Sequence, residues 1–188
     1  MSRVVLTYKD YEALPADGRR YEIHDGELSA TPAPNPQHQR VTRDLFLVVQ
    51  RHVEERGLGE VLFAPIDVIL ADTSIVQPDI VFLDHSRRSA ISRRGIEGPP
   101  TLAVEILSPS TTAIDRTTKR QLYARYGVPY FWLVDPEARM IEALVLEGGT
   151  YVLAVRASGP RPVGLPPFPD LGLVVESLWP ATDPRGAY

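Results

Sequence analysis

Apolar residues recur at Val41, Leu45, Val48, Val49 and Val53, a three-and-four spacing that predicts an amphipathic helix over 37–55, stopped by Gly57. Ahead of it, "TYKDYEAL" (7–14) reads as a short helix with Thr7 as N-cap. "RYEIHDGELSA" (20–30) reads as two short strands around Asp25-Gly26, a strong hairpin signal. "TPAPNPQ" is a loop. After the helix, "GEVLFAPIDVILA" (59–71) predicts one strand bent near Pro65, with "TSIV" (73–76) as a connection. "PDIVFLD" (78–84) and "TLAVEIL" (101–107) are further strands, separated by a polar, basic loop over 85–100. A helix is expected over 115–126, stopped by Gly127 and Pro129, then a core strand at "YFWLVD" (130–135) and a hairpin over Gly148-Gly149. The order predicts a mixed α/β domain with a long antiparallel meander. Residues 1–157 are expected to form the domain, with the Pro-rich segment 158–188 packing on it through "LGLVVESLW".

One feature interrupts the apolar runs. Asp79 opens one strand and Glu105 sits inside the next. A buried carboxylate costs several kcal/mol (~3 or more) unless it is paired, neutralised or bound to a metal. Alternation puts Glu105 on the face opposite Val104 and Ile106, together with Leu107. If the two strands are neighbours, both carboxylates converge at one end of the sheet. Two convergent hard oxygen donors are what Mg²⁺ requires of a protein. The plainer readings are a solvent-facing strand-start acid for Asp79 and an edge or arginine-paired acid for Glu105.

Composition narrows the classes. The chain has 188 residues, no cysteine and a formal net charge of −4. That excludes disulfide scaffolds and thiolate metal sites, and argues against coating nucleic acid through bulk charge. No apolar run reaches a membrane span, and the first residues do not read as a signal peptide, so a cytoplasmic location is expected. Lys9 and Lys119 are the only lysines; the other basic residues are arginine. Lys119 lies four residues after Asp115 and shares a helical face with Leu122, Tyr123 and Tyr126. Its plainer reading is a surface pair with Asp115. No serine-hydrolase elbow and no phosphate-binding glycine loop is present.

"PDIVF…LAVEIL" resembles the PD-(D/E)xK nuclease superfamily. Within it, "YEIHDGEL", "PNPQHQRV", "PIDVIL", "QPDIVFLD", "VEILSPST" and "DRTTKRQLYARYGVPYFWLVDP" resemble the Uma family of predicted restriction endonucleases, over about residues 7–155. The resemblance implies a restriction-endonuclease-like fold, a meander flanked by helices with an added N-terminal hairpin. It also implies Mg²⁺- or Mn²⁺-dependent hydrolysis of DNA phosphodiesters by a homodimer. Asp79 and Glu105 would bind the metal, with the Ile106 carbonyl as a further ligand. The sequence departs from the motif at one position: Leu107 stands where the motif lysine belongs, and Lys119 is the substitute on the following helix. Glu22, Asp67, His38 and Tyr123 are auxiliary candidates, although His38 also suits a helix N-terminal contact and Tyr123 sheet packing. Arg87, Arg88, Arg93 and Arg94 are candidates for DNA phosphates. The competing readings are a nuclease-fold module that binds DNA or protein without turnover, and a metal-dependent hydrolase of a small or RNA substrate.

Overall fold

The computed structural model describes residues 4–179. Two six-stranded mixed sheets carry the fold. Helix α1 (Tyr8–Glu12) starts at Thr7, which forms a reciprocal capping box with Asp10. Strands β1 (Arg20–His24) and β2 (Glu27–Thr31) pair across Asp25 and Gly26, both at positive φ, as the hairpin signal predicts. Helix α2 (Pro36–Arg56) is capped by Asn35, whose side chain accepts from the His38 N–H, and ends in left-handed Gly57.

Strands β3 (Gly59–Phe63), β4 (Val68–Ala71), β5 (Ser74–Val76) and β6 (Ile80–Asp84) follow, then β7 (Ile91–Ser92), β8 (Gly95–Glu97) and β9 (Leu102–Ile106). The segment expected to be one bent strand is two strands in different sheets. β3 pairs with β6, whereas β4 pairs with β5 and β8. The break falls at the cis Ala64-Pro65 bond, where proline has no N–H to continue a ladder. "TSIV", expected as a connection, supplies β5; three residues are too few to show alternation. Likewise the polar loop over 85–100 contains a 3₁₀ turn and the small β7–β8 hairpin.

The chain then enters α3 (Thr112–Ile114), a π-helical turn (Asp115–Lys119) and α4 (Arg120–Arg125). Strands β10 (Tyr130–Asp135), β11 (Met140–Glu147) and β12 (Thr150–Ser158) complete the larger sheet, ordered β12-β11-β10-β9-β6-β3. Its neighbours are antiparallel except β9 and β10. The meander is therefore corrected at its centre: parallel neighbours need a crossover, and the helix between them is that crossover. The smaller sheet runs β2-β1-β5-β4-β8-β7.

The larger sheet separates two apolar layers. Ile80, Phe82, Val104, Ile106, Trp132 and Val134 face α2. Val81, Leu83, Ala103, Leu107, Phe131 and Leu133 face Leu122 and Tyr123 of α4. Beyond the meander, β13 (Pro162–Leu165), β14 (Phe168–Val174) and the 3₁₀ turn Val175–Leu178 place Leu165, Phe168, Leu173 and Leu178 in the α2 layer. The remainder of the expected C-terminal segment, 180–188, lies outside the described residues.

Candidate active site

Strand register brings the two carboxylates together. β6 and β9 pair antiparallel with Ile80 opposite Val104. One further step in that register sets Asp79 opposite Glu105, and directly opposed residues share a sheet face. Ladder pairing of side chains begins at Ile80, yet the Asp79 N–H still donates to the Val104 carbonyl (3.0 Å). Both acids are buried, at 3% and 2% exposure, on the face covered by α4. They line one pocket with Glu22, Asp115, Lys119, Arg20 and His38.

Lys119 is the hub. Its ammonium lies 3.0 Å from Glu22 Oε1, 3.1 Å from Glu105 Oε1 and 3.5 Å from Asp115 Oδ1. It is 5% exposed, so its partner Asp115 is part of a buried cluster and not of a surface pair. The π-helical turn is the local cause. Its wider winding aims both Asp115 and Lys119 into the pocket, and such turns are frequent at functional sites. Burial pushes the Lys119 pKa down, but the surrounding carboxylates outweigh it and hold the ammonium charged.

The acids differ in state. Burial raises the Glu22 carboxyl, but Lys119 and His24, whose Nε2 is 3.2 Å away, outweigh it and bring it down to about 2. The Gln77 N–H also donates to Glu22 Oε1 (2.6 Å). Asp79 is likewise held below its usual range against burial. His38 Nε2 lies 3.1 Å from Oδ2, the Arg20 guanidinium 3.1 Å from Oδ1, and the Ile106 N–H donates to Oδ2 (2.8 Å). Glu105 goes the other way. Burial lifts its carboxyl well above the carboxylate range, and Asp115, Asp79 and Glu22 add to this against Lys119. The same causes, burial first, raise Asp115. The Tyr123 hydroxyl donates to Glu105 Oε1 (2.6 Å). Four carboxyl groups thus face two permanent cations, and burial together with this crowding of acids is what raises Glu105.

The other candidates divide. Glu22, His38 and Tyr123 touch the cluster directly. Tyr123 both packs against Phe131 (ring centroids 5.1 Å) and bonds to Glu105. His38 makes the helix N-terminal contact, its N–H bonded to the Asn35 side chain, and its Nε2 also lies 3.1 Å from Asp79 Oδ2. Asp67 is one shell removed. It accepts from the Tyr11 hydroxyl (2.7 Å) and the Gln77 amide (2.8 Å) and lies outside the pocket lining. The arginines of 85–100 are not brought to it either. The β7–β8 hairpin occupies the edge of the smaller sheet opposite β1 and β2, with β5 and β4 between. Arg87 donates to the Pro99 carbonyl, Arg88 pairs with Glu60, and Arg94 pairs with Glu97 and stacks on Tyr8. Arg20 and Asp115 were missed as pocket residues. Arg20 also bonds to the Gln77 side chain and carbonyl, contacts no local pattern could announce.

The donor set suits a hard divalent cation in type: buried carboxylate oxygens with excess negative charge. Mg²⁺ commonly takes one or two carboxylates and completes its shell with water and substrate phosphates. Among the described residues no group of three or more His, Cys, Asp or Glu is arranged to hold a metal ion, and the Lys119 ammonium lies between three of the carboxylates. Among those residues, too, no helix is long and apolar enough to cross a membrane.

Comparison with known proteins agrees with this architecture. The profile of the Uma2 family, described as "Putative restriction endonuclease", matches residues 8–176. A crystal structure from Anabaena variabilis ATCC 29413, described as a putative nuclease belonging to DUF820, superposes with a TM-score of 0.76. The superposition covers 93% of this chain and 97% of that one at 20% sequence identity, a likeness of fold. None of the curated proteins matches the chain. A profile match that spans both sheets and every residue of the pocket makes this chain a member of the Uma2 family.

Proposed function

We propose that the protein is a metal-dependent endonuclease that hydrolyses DNA phosphodiester bonds at the Glu22–Asp79–Glu105–Lys119 pocket. The observation that carries this reading is the pocket's composition: four buried acidic side chains gathered around Lys119 and Arg20. Gathering four acids out of water is costly to a fold, and a bound cation offsets that cost.

Asp79 and Glu105 would hold Mg²⁺ or Mn²⁺, with the Ile106 carbonyl as a further oxygen. When bound, the ion lowers the pKa of an attacking water and stabilises the leaving oxygen. Asp79 is kept ionised and oriented by His38, Arg20 and the Ile106 N–H. A carboxyl raised as Glu105 is would have to be ionised to serve as a ligand, so metal binding would be linked to pH. Tyr123 fixes the Glu105 carboxyl. Lys119 orients the water or neutralises charge developing on the phosphoryl oxygens. Double-strand cleavage needs two pockets, so the proposal includes a homodimer, which sedimentation of the protein with DNA tests.

Incubation of supercoiled and linear DNA with Mg²⁺ or Mn²⁺ at low salt tests the reading. Metal-dependent nicking that chelator and Asp79→Ala both abolish supports it. A second reading, a nuclease-fold module that binds DNA or protein without turnover, is favoured by one observation. Lys119 is engaged by three acids, and Leu107 stands at the motif lysine position. No cleavage with either metal, together with calorimetric titrations showing no metal binding, would put that reading first.

A further inference from the structure

The helical segment that turns Asp115 and Lys119 inward turns a second set of side chains outward. Arg116, Thr117, Arg120, Gln121 and Arg125 form one wall of an open groove. The β11–β12 turn, Gly149 to Tyr151, forms the other. No Asp or Glu lines it, although the protein carries a net charge of −4. The groove opens to solvent.

The three arginines are held differently. Arg116 is braced by Glu142 (2.6 Å) and Asp135 (3.2 Å), and Arg125 by Asp25 (2.6 Å), all from outside the groove wall. Arg120 donates one N–H to the Tyr151 carbonyl (2.9 Å) and pairs with no carboxylate among the described residues. That single bond orients the guanidinium without neutralising it. A guanidinium keeps its charge at any working pH, and its fork of donors matches phosphate oxygens. A row of such groups at helical spacing, in a groove free of acids, is complementary to a polyanion.

We propose that this groove binds a stretch of the sugar-phosphate backbone of DNA, with Arg120 as the principal phosphate contact and Arg116 and Arg125 flanking it. The assignment rests on the nuclease reading for the choice of DNA. It transfers backbone positioning from the 85–100 loop to the outer face of the helix that carries Lys119.

Fluorescence anisotropy of a labelled duplex, with chelator present and salt varied from about 50 to 200 mM, tests it. Arg120→Glu should weaken binding by about tenfold or more, and its log–log salt slope should fall by about one. Arg120→Lys should retain most of the affinity. Thr150→Glu, at an exposed hairpin position on the opposite wall, should weaken binding without touching the Arg120–Tyr151 bond. Arg161→Glu, exposed and outside the groove, is the equal-charge control and should change affinity by no more than about twofold. Wild-type binding that is undetectable overturns the proposal. So does wild-type-like affinity in both groove variants, or an equal loss in the control. Cleavage is read separately with metal. Groove-dependent binding without cleavage supports the groove and sinks the catalytic reading. Cleavage with unaltered binding by the groove variants sinks the groove alone.

Discussion

At the scale of residues, the proposed chemistry centres on one ammonium and the three carboxyl groups paired with it. Lys119 is where a single change should be most informative. Lys119→Ala removes a preorganised positive charge from a buried site, and cleavage should fall on the order of 100-fold or more. A single-turnover assay at saturating metal measures this; unchanged rates would remove Lys119 from the mechanism. Glu22 makes a second expectation through pH. Its folded-state pKa is depressed to about 2, below the ordinary value of 4.5. A depressed carboxyl contributes stability that is present above the unfolded pKa and lost as pH falls through the folded one. Glu22→Gln should therefore destabilise the protein clearly at pH 7, and the gap from wild type should narrow between about pH 4.5 and 2. Urea denaturation of both proteins across that range checks the sign. A gap that widens towards acid would show that Lys119 does not hold Glu22 ionised.

At the scale of elements, caps and a π turn position the site. Asn35 ends the loop and starts α2, and its side-chain Oδ1 accepts the His38 N–H at 2.8 Å. His38 in turn reaches Asp79. Asn35→Ala should cost about 1 kcal/mol of stability, the usual loss for a side-chain cap. It should also weaken divalent-metal binding, because the turn that carries His38 loses its anchor. Equilibrium unfolding and calorimetry separate the two effects; a stability loss with unaltered metal affinity would confine Asn35 to a structural role. The Thr7 cap, the Gly57 stop, the Asp25-Gly26 hairpin and the α2 stripe were legible in the sequence because they are set by neighbours within four residues; the Asn35 cap, inside a segment read as a loop, was not. Nor was the π turn. A regular helix over 115–126 satisfies the same apolar spacing, and the extra residue per turn is stabilised by contacts from β1 and β9, far away in the chain.

At the scale of the whole molecule, the larger sheet is a partition: α2 and the C-terminal hairpin on one side, α4 and the acid pocket on the other. Phe168 shows how firmly the last segment belongs to it. It is 1% exposed and meets the rings of His52, Phe82 and Trp132 at centroid distances of 5.2, 5.0 and 6.1 Å. Phe168→Ala should cost about 3–5 kcal/mol through lost burial and the cavity left behind. An unfolding free energy, from chemical denaturation, lowered by less than about 1 kcal/mol would make the segment peripheral.

What the chain determined by itself was local or periodic: the two helical stripes, the strand segments, and the placement of an acid at the start of one strand and within another. Those signals suffice to reach the family, because Asp79, Glu105 and Lys119 stand in recognisable strings. Tertiary structure decided everything that depends on which strands become neighbours. Register set Asp79 opposite Glu105. The break at Pro65 sent β4 to a second sheet and carried Asp67 away from the pocket, while β1 brought Arg20 and Glu22 into it. The physical reason is the range of the forces. Propensity, capping and alternation act over a few residues, whereas burial, charge pairing and proton sharing act between any groups that packing brings within a few ångströms. The raised carboxyl of Glu105 is the clearest case: beside burial, it follows from three acids of β1, the Asp79 strand start and the π turn set against Lys119, none of which a window around Glu105 contains.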